Sequence, residues 1–223
     1  MNLVENVLYG NNLRKIRNYL RKNPVDINYQ NHAGKTPLIN AIRKNRSDIT
    51  DFFLDFDEMN INLCDSNGMT PLHYACQTSN RKIVETLITK GANGFIKNNS
   101  GYTPFHISAF CYQDPNILLL MVPVSNPDDV DNMNRTTLIT YSTAMHKNKE
   151  IFSILVNITS DINHRDINGY TALHHCCKNG TPNNLIYIHM LIERGCDINI
   201  QCIEGKKPFD LLNGTLLENF KSS

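Results

Sequence analysis

Three things are scarce in this 223-residue chain. Charge of one sign is the first: 22 Lys and Arg stand against 21 Asp and Glu, a formal net charge of +1. No whole-molecule field therefore draws the chain to nucleic acid or to an anionic membrane. Long apolar runs are the second. No stretch reaches the roughly 20 residues that a bilayer-spanning helix needs, and the opening Met1-Asn2-Leu3-Val4-Glu5-Asn6 lacks the basic start of an export signal. A disulfide framework is the third, because seven scattered cysteines, an odd number, do not pair off. These absences predict a soluble protein of a reducing compartment, cytoplasmic, with the nucleus as the second option.

What is abundant is one short design. In Asp65-Ser66-Asn67-Gly68-Met69-Thr70-Pro71-Leu72-His73-Tyr74-Ala75-Cys76 each residue has a separate mechanical task. Gly68 suits a left-handed turn between polar residues. Thr70 suits a helix N-cap and Pro71 the first helical position, where no N–H is needed. Leu72 and Ala75 then share a helical face. Copies stand at Gly34-Lys35-Thr36-Pro37-Leu38, Gly101-Tyr102-Thr103-Pro104-Phe105-His106 and Gly169-Tyr170-Thr171-Ala172-Leu173-His174. A weaker copy is Asn134-Arg135-Thr136-Thr137-Leu138, and Gly205 opens a last half-motif. The turn positions recur every 33 to 36 residues.

A Thr-Pro-Leu-His-x-Ala core at a period near ~33 residues resembles the ankyrin-repeat family. The resemblance covers essentially the whole chain. It implies an all-α solenoid of helix-turn-helix repeats with β-hairpin tips, about six to seven repeats with the terminal caps included. The boundaries expected for this single domain are an N-terminal cap at 1–30, repeats at 31–64, 65–97, 98–130, 131–165 and 166–201, and a C-terminal cap at 202–223. Leu211, Leu212, Leu216 and Leu217 are placed to close that cap.

The helix patterns fit this frame. Thr36–Lys44 and Asp48–Phe56 read as the helices of the second repeat, with Ile49, Phe52 and Phe53 on the inner face. Thr70–Thr78 and Arg81–Lys90 form the next pair. In the cap, Arg14, Lys15, Arg17, Arg21 and Lys22 occupy one helix face, read first as the polar surface a terminal repeat requires and second as an anion-binding or import patch. The fifth repeat departs most from the pattern. Asn134 stands for the turn glycine, Tyr141 takes the small-residue slot, and the connection up to Glu150 is longer. Loss of capping and earlier opening are expected there, in residues 123–150 rather than 65–92.

No constellation predicts catalysis. A glycine-rich phosphate loop is missing, and Asp65, Asp131 and Asp166 fall at turns. His174-His175-Cys176-Cys177, with His73 and Cys76 in matching slots, offers zinc-binding side chains without zinc spacing, and adjacent cysteines diverge on a helix. These align with structural positions of the repeat, where the family's motif histidine bridges neighbouring repeats. No catalytic residue, metal ligand or cofactor is expected. A metal-binding protein is kept only as the alternative from another class.

Surface residues remain. In this family the tips and first helices line a concave groove that grips another protein. The residue after each turn glycine forms a row, Lys35, Met69, Tyr102, Arg135 and Tyr170, rich in the types favoured at interface centres. Asn67, Met133 and Ile167 join it from the tips. The competing reading is that a tip tyrosine packs its ring between hairpins. The resemblance also marks Asn199, then Asn163, as candidates for asparaginyl hydroxylation. The implied protein is a monomeric, non-enzymatic scaffold for a protein partner, with neither nucleic acid nor membrane involved. It looks like short poxviral or intracellular-parasite ankyrin proteins that modulate host signalling, one branch resembling inhibitors of NF-κB-like factors. The alternative is a substrate-recruiting subunit of a ubiquitin ligase, although the chain ends in a capping repeat rather than an F-box-like segment.

Overall fold

The computed structural model describes residues 3–23, 25–110, 114–145, 147–179 and 184–212. They form two compact units, residues 1–125 and 126–223. The division falls within the span expected for the fourth repeat. Leu216, Leu217 and the Gly180–Asn183 connection lie outside the described residues.

Unit 1 is four helix pairs in sequence: α1 (Leu3–Leu8) and α2 (Leu13–Lys22), α3 (Pro37–Arg43) and α4 (Ser47–Leu54), α5 (Pro71–Thr78) and α6 (Arg81–Thr89), α7 (Pro104–Phe110) and α8 (Pro115–Met121). The first helices α3, α5 and α7 pack successively, and α6 packs on α8. Unit 2 holds α9 (Thr137–Ser142) with α10 (Lys149–Ile158), and α11 (Ala172–Lys178) with α12 (Leu185–Glu193), closed by a 3-10 turn at Pro208–Leu211. There α9 packs on α11, α10 on α12, and α11 on the terminal turn. The core of each unit is the apolar stripe of these short helices. Leu38, Ile42, Phe53, Leu72, Val84, Leu87 and Phe105 are enclosed in unit 1, and Leu138, Ile151, Phe152, Leu173, Ile188 and Leu191 in unit 2.

Helices of six to ten residues are too short to persist in water by themselves. Their starts are fixed by caps. The hydroxyls of Thr36, Thr70, Thr103, Thr136 and Thr171 each accept from the backbone N–H three residues on. The expected loss of capping in the fifth repeat is thereby corrected. Thr136 caps α9 without a following proline, and Asn134 takes φ of 54°, the left-handed turn that glycine takes elsewhere. Asn is the residue with a side chain that accepts this region most readily. Tyr141 fills the small-residue slot while fully buried, and its hydroxyl accepts the Asn148 N–H at 2.8 Å, so it tethers the long connection.

The expected β-hairpin tips are tight turns, and no strand occurs among the described residues. Each tip closes on itself by two backbone bonds. In the second tip the Asp65 N–H donates to the Met69 carbonyl and the Gly68 N–H to the Asp65 carbonyl, at 3.0 and 2.9 Å. The chain then enters the threonine cap before a longer ladder can form. Successive tips are joined by backbone bonds as well. The Ser66 N–H donates to the Ala33 carbonyl and the Asn99 N–H to that of Asn67, and in unit 2 Ile167 donates to Met133 and Ile203 to Asn168, all within 3.0–3.1 Å.

Motif histidines link the layers as expected. The Thr70 N–H donates to Nδ1 of His73 at 3.1 Å, which leaves the proton on Nε2 to donate to the Tyr102 carbonyl at 2.9 Å. His174 repeats the arrangement with Thr171 and the Lys206 carbonyl. Burial pushes the His73 imidazole down to about 4, against the partial support of the Tyr102 carbonyl, and pushes His174 and His175 in the same direction.

Two outcomes follow. Because φ is positive at both Gly68 and Gly205, alanine at either is strained, by about 1 kcal/mol. At Gly68 the new Cβ also meets the Asn98 Cα and the Asn99 N at 2.9 Å, whereas at Gly205 it meets nothing. Urea unfolding should show Gly68→Ala costing about 2–3 kcal/mol and Gly205→Ala only about 1 kcal/mol; equal costs refute the close-approach argument. For pH, a histidine held below its unfolded value of 6.5 favours the neutral form in the fold. Its stabilisation is complete above that value and is lost as pH falls toward about 4. The urea midpoint should decline through this window, His73 contributing at most ~3 kcal/mol, and His73→Gln should flatten the decline. An unchanged slope in that variant contradicts the assignment.

Candidate protein-binding surface

The tips are built around a side-chain acceptor at their first position. Oδ1 of Asn31, Asp65, Asn98, Asp131 and Asp166 accepts the N–H groups two and four residues later, at 2.8–3.0 Å. This Asx turn orients every residue between. The second oxygen of each aspartate is also engaged. Asp65 Oδ2 accepts from Tyr74 Oη at 2.6 Å, with Lys35 Nζ 3.5 Å away. Asp131 Oδ2 takes Nε and Nη2 of Arg135 at 2.8 and 2.7 Å. Asp166 Oδ2 lies 2.9 Å from His175 Nε2. Burial raises the Asp65 carboxyl, but the bonds from Tyr74, Met69 and Asn67 outweigh it and hold the group below its ordinary value.

This geometry corrects the row expected to project after the turn. The residue after the glycine donates its N–H to the Asx oxygen and runs straight into the threonine cap, so its side chain falls back on the scaffold. Tyr170 is only 8% exposed. Its ring stacks on His174 at 5.4 Å and meets His175 edge-on, with the Lys178 ammonium 5.0 Å above it. Tyr102 is half-buried with its ring tilted on His106 at 5.5 Å. Arg135 is bound by both nitrogens to its own tip, Lys35 reaches the next tip's Asp65, and Met69 accepts from Asn98 Nδ2 through Sδ at 3.3 Å. The reading of tip aromatics as packed rings holds for Tyr170, and it packs on its own helix.

The residues before the glycine project instead. Asn67 is exposed in unit 1, beside Ser66 and Asn99. In unit 2 the projecting residues are apolar: Met133 is 41%, Ile167 49% and Ile203 72% exposed. They sit on three successive tips whose backbones are bonded together. Ile203 stands at the same tip position as Ile167, a match visible in the sequence but outweighed there by the row after the glycine.

The other sequence candidates are placed as follows. Asn163 Oδ1 accepts the Asp197 N–H at 2.8 Å, binding one repeat to the next, whereas exposed Asn199 accepts from Lys207 Nζ at 3.1 Å. In the His-Cys segment, His174 has both ring nitrogens engaged and His175 meets Asp166. Cys176 is fully buried, which pushes its thiol up to about 11, and burial raises Cys177 as well. Among the described residues no group of three or more His, Cys, Asp or Glu side chains is placed to hold a metal. Nor is any helix among them long and apolar enough to cross a membrane.

Comparison with known proteins agrees with this architecture. The family model for ankyrin repeats matches three times, at residues 3–98, 61–128 and 105–202. Mouse Inversin is 27% identical over 194 residues, 84% of this chain and 18% of Inversin. The ankyrin repeat protein OPG189 of Variola virus is 26% identical over 169 residues, 76% of this chain and 29% of that protein. The chain thus spans less than a third of the length of either relative. Among solved structures, the ankyrin repeat domain of Bcl-3, a member of the IkappaB protein family, superposes with a TM-score of 0.81 at 17% identity, covering 100% of this chain and 99% of that one. With the model matches running through most of its length, and with its caps, tips and bridging histidines in the matching places, the chain belongs to the ankyrin-repeat family.

Proposed function

We propose that this protein is a non-enzymatic scaffold that binds another protein through the tips of unit 2, and that it serves as a viral modulator of host signalling. The observation that carries the reading is the apolar row Met133, Ile167 and Ile203 on bonded successive tips. Large apolar side chains held on rigid turns lose little freedom on binding, and such a row is the kind of surface a partner covers. The viral setting is supported by the likeness to OPG189. The likeness to the Bcl-3 domain supports a partner of the type that IkappaB-family proteins engage, an NF-κB-like factor. The buried, doubly bonded histidines and high-pKa thiols favour a scaffold over a catalyst.

Affinity capture from host-cell lysate followed by mass spectrometry, comparing the natural chain with a triple Met133→Ser, Ile167→Ser, Ile203→Ser variant, tests the reading. At least one protein should be lost from the variant, and its measured affinity should fall by roughly thirtyfold or more, the loss of one strong anchor. The melting temperature should change little, since the tips are held by backbone bonds and not by these side chains. An unchanged capture set sinks the proposal. Tyr170→Ala is the contrasting control, expected to cost about 2 kcal/mol of stability through lost ring packing.

Asn199, whose carboxamide carries no link to another repeat's backbone among the described residues, is proposed ahead of Asn163 as the asparagine offered to a hydroxylase. Intact-mass measurement after incubation with such an enzyme should show one added oxygen on the natural chain and none on Asn199→Ala. A natural chain without the addition ends this idea.

A further inference from the structure

A different face of unit 1 holds chemistry that the tips do not use. Helix α2 presents Arg14, Lys15, Arg17, Arg21 and Lys22, all exposed, and contains no acidic residue. On the other second helices of this unit the cations are matched. Arg46 meets Asp48 at 2.8 Å, Arg81 meets Glu85 at 2.8 Å, and Lys82 reaches Asp51 at 3.0 Å. No ion pair among the described residues involves any of the five α2 cations.

Beside this unmatched charge lies a groove of about 490 Å³, lined by Arg17, Leu20 and Arg21 of α2 and by Phe52, Asp55 and Phe56 from α4 and the turn after it. Phe52, expected from the sequence on the inner face with Ile49 and Phe53, is half-buried here while those two are enclosed. Its ring meets Phe56 edge-on at 5.2 Å, and the Arg17 guanidinium sits 5.2 Å above it. The site therefore has an aromatic floor, a guanidinium lying on that floor, a second arginine on the rim, and one carboxylate at the far edge.

We propose that this groove receives a short acidic segment of a partner protein, one aromatic or long aliphatic side chain resting on Leu20, Phe52 and Phe56 while flanking carboxylates pair with Arg17 and Arg21. The volume is at the small end of ligand sites, suited to an anchor and its neighbours and not to a large ligand. Guanidinium groups take carboxylates in two parallel hydrogen bonds, which a point charge cannot do. Arg14, Lys15 and Lys22 extend the positive surface along α2 for acids further along the segment. A bilayer is disfavoured because the apolar atoms are recessed beneath the guanidinium groups and nothing protrudes to insert. A continuous phosphate backbone is disfavoured because Asp55 repels it, whereas a peptide places its acids selectively. This site is independent of the tip surface of unit 2.

Fluorescence anisotropy with a labelled Asp-Glu-Asp-Phe-Asp-Glu peptide tests the proposal on the full chain. Binding should be on the order of 10–100 µM and should weaken as salt rises from ~50 to ~200 mM. An Arg17→Glu, Arg21→Glu variant should bind at least ~10-fold more weakly, with an unchanged melting curve because both side chains are exposed. On the unaltered protein, the same peptide with glycine in place of phenylalanine should lose at least ~5-fold, which a merely basic surface would not produce. The serine variant of the unit 2 tips should bind the peptide normally. The proposal is overturned if the charge reversal or the glycine peptide changes binding by less than ~2-fold. It is equally overturned if phosphatidylserine vesicles or single-stranded RNA bind more tightly than the peptide and depend on the same two arginines.

Discussion

One oxygen atom at the head of each tip organises most of what surrounds it. By accepting two amides, Oδ1 of Asp65 or its counterparts fixes the direction in which the chain leaves the turn, and so where the next threonine lands to cap a helix. A helix of eight residues such as α5 has little stability of its own. It depends on starting at a defined place and on burying Leu72, Ala75 and Cys76 at once. The same oxygen decides which side chains are available for recognition, because residues inside the Asx turn point outward and the residue closing it returns to the scaffold. Cys202 heads the last tip without such an acceptor, and there the two backbone bonds alone close the turn.

The helices were legible because their signals are local. Glycine, threonine and proline at fixed offsets determine φ, a cap and a helix start, and the observed starts at Pro37, Pro71 and Pro104 follow them directly. Side-chain direction at the tips was less legible. A tyrosine after a turn glycine has the same backbone signature whether its ring projects or lies on a histidine, and only the presence of His174 and His175 at stacking distance decides for Tyr170. In the fifth repeat the substitutions looked like losses because each was compared with the motif alone. Asn134 and Tyr141 instead supply a left-handed turn and a tether in other ways.

The basic helix α2 shows a similar limit. Its run of cations is plain in the sequence, but the aromatic floor beside it comes from residues some 30 positions later, and Phe52 fits an inner-face pattern as well as a groove-facing one. Periodicity says which residues share a face of one helix. It does not say how much of that face the neighbouring helix covers. The His-Cys segment is the opposite case, since alignment on His73 and Cys76 assigned its residues to structural slots and the hydrogen bonds of His174 occupy them.

The bonds between successive tips all run one way: the amide belongs to the later repeat and the carbonyl to the earlier. A ribosome delivers the chain in that same order. When Ser66 emerges, the Ala33 carbonyl it needs is already held in a finished turn, and Asn99 in turn finds Asn67 waiting. Each new repeat can thus be templated on its predecessor as it is made, so that growth of the stack keeps pace with translation and the apolar stripe of a nascent helix is covered soon after it leaves the exit tunnel.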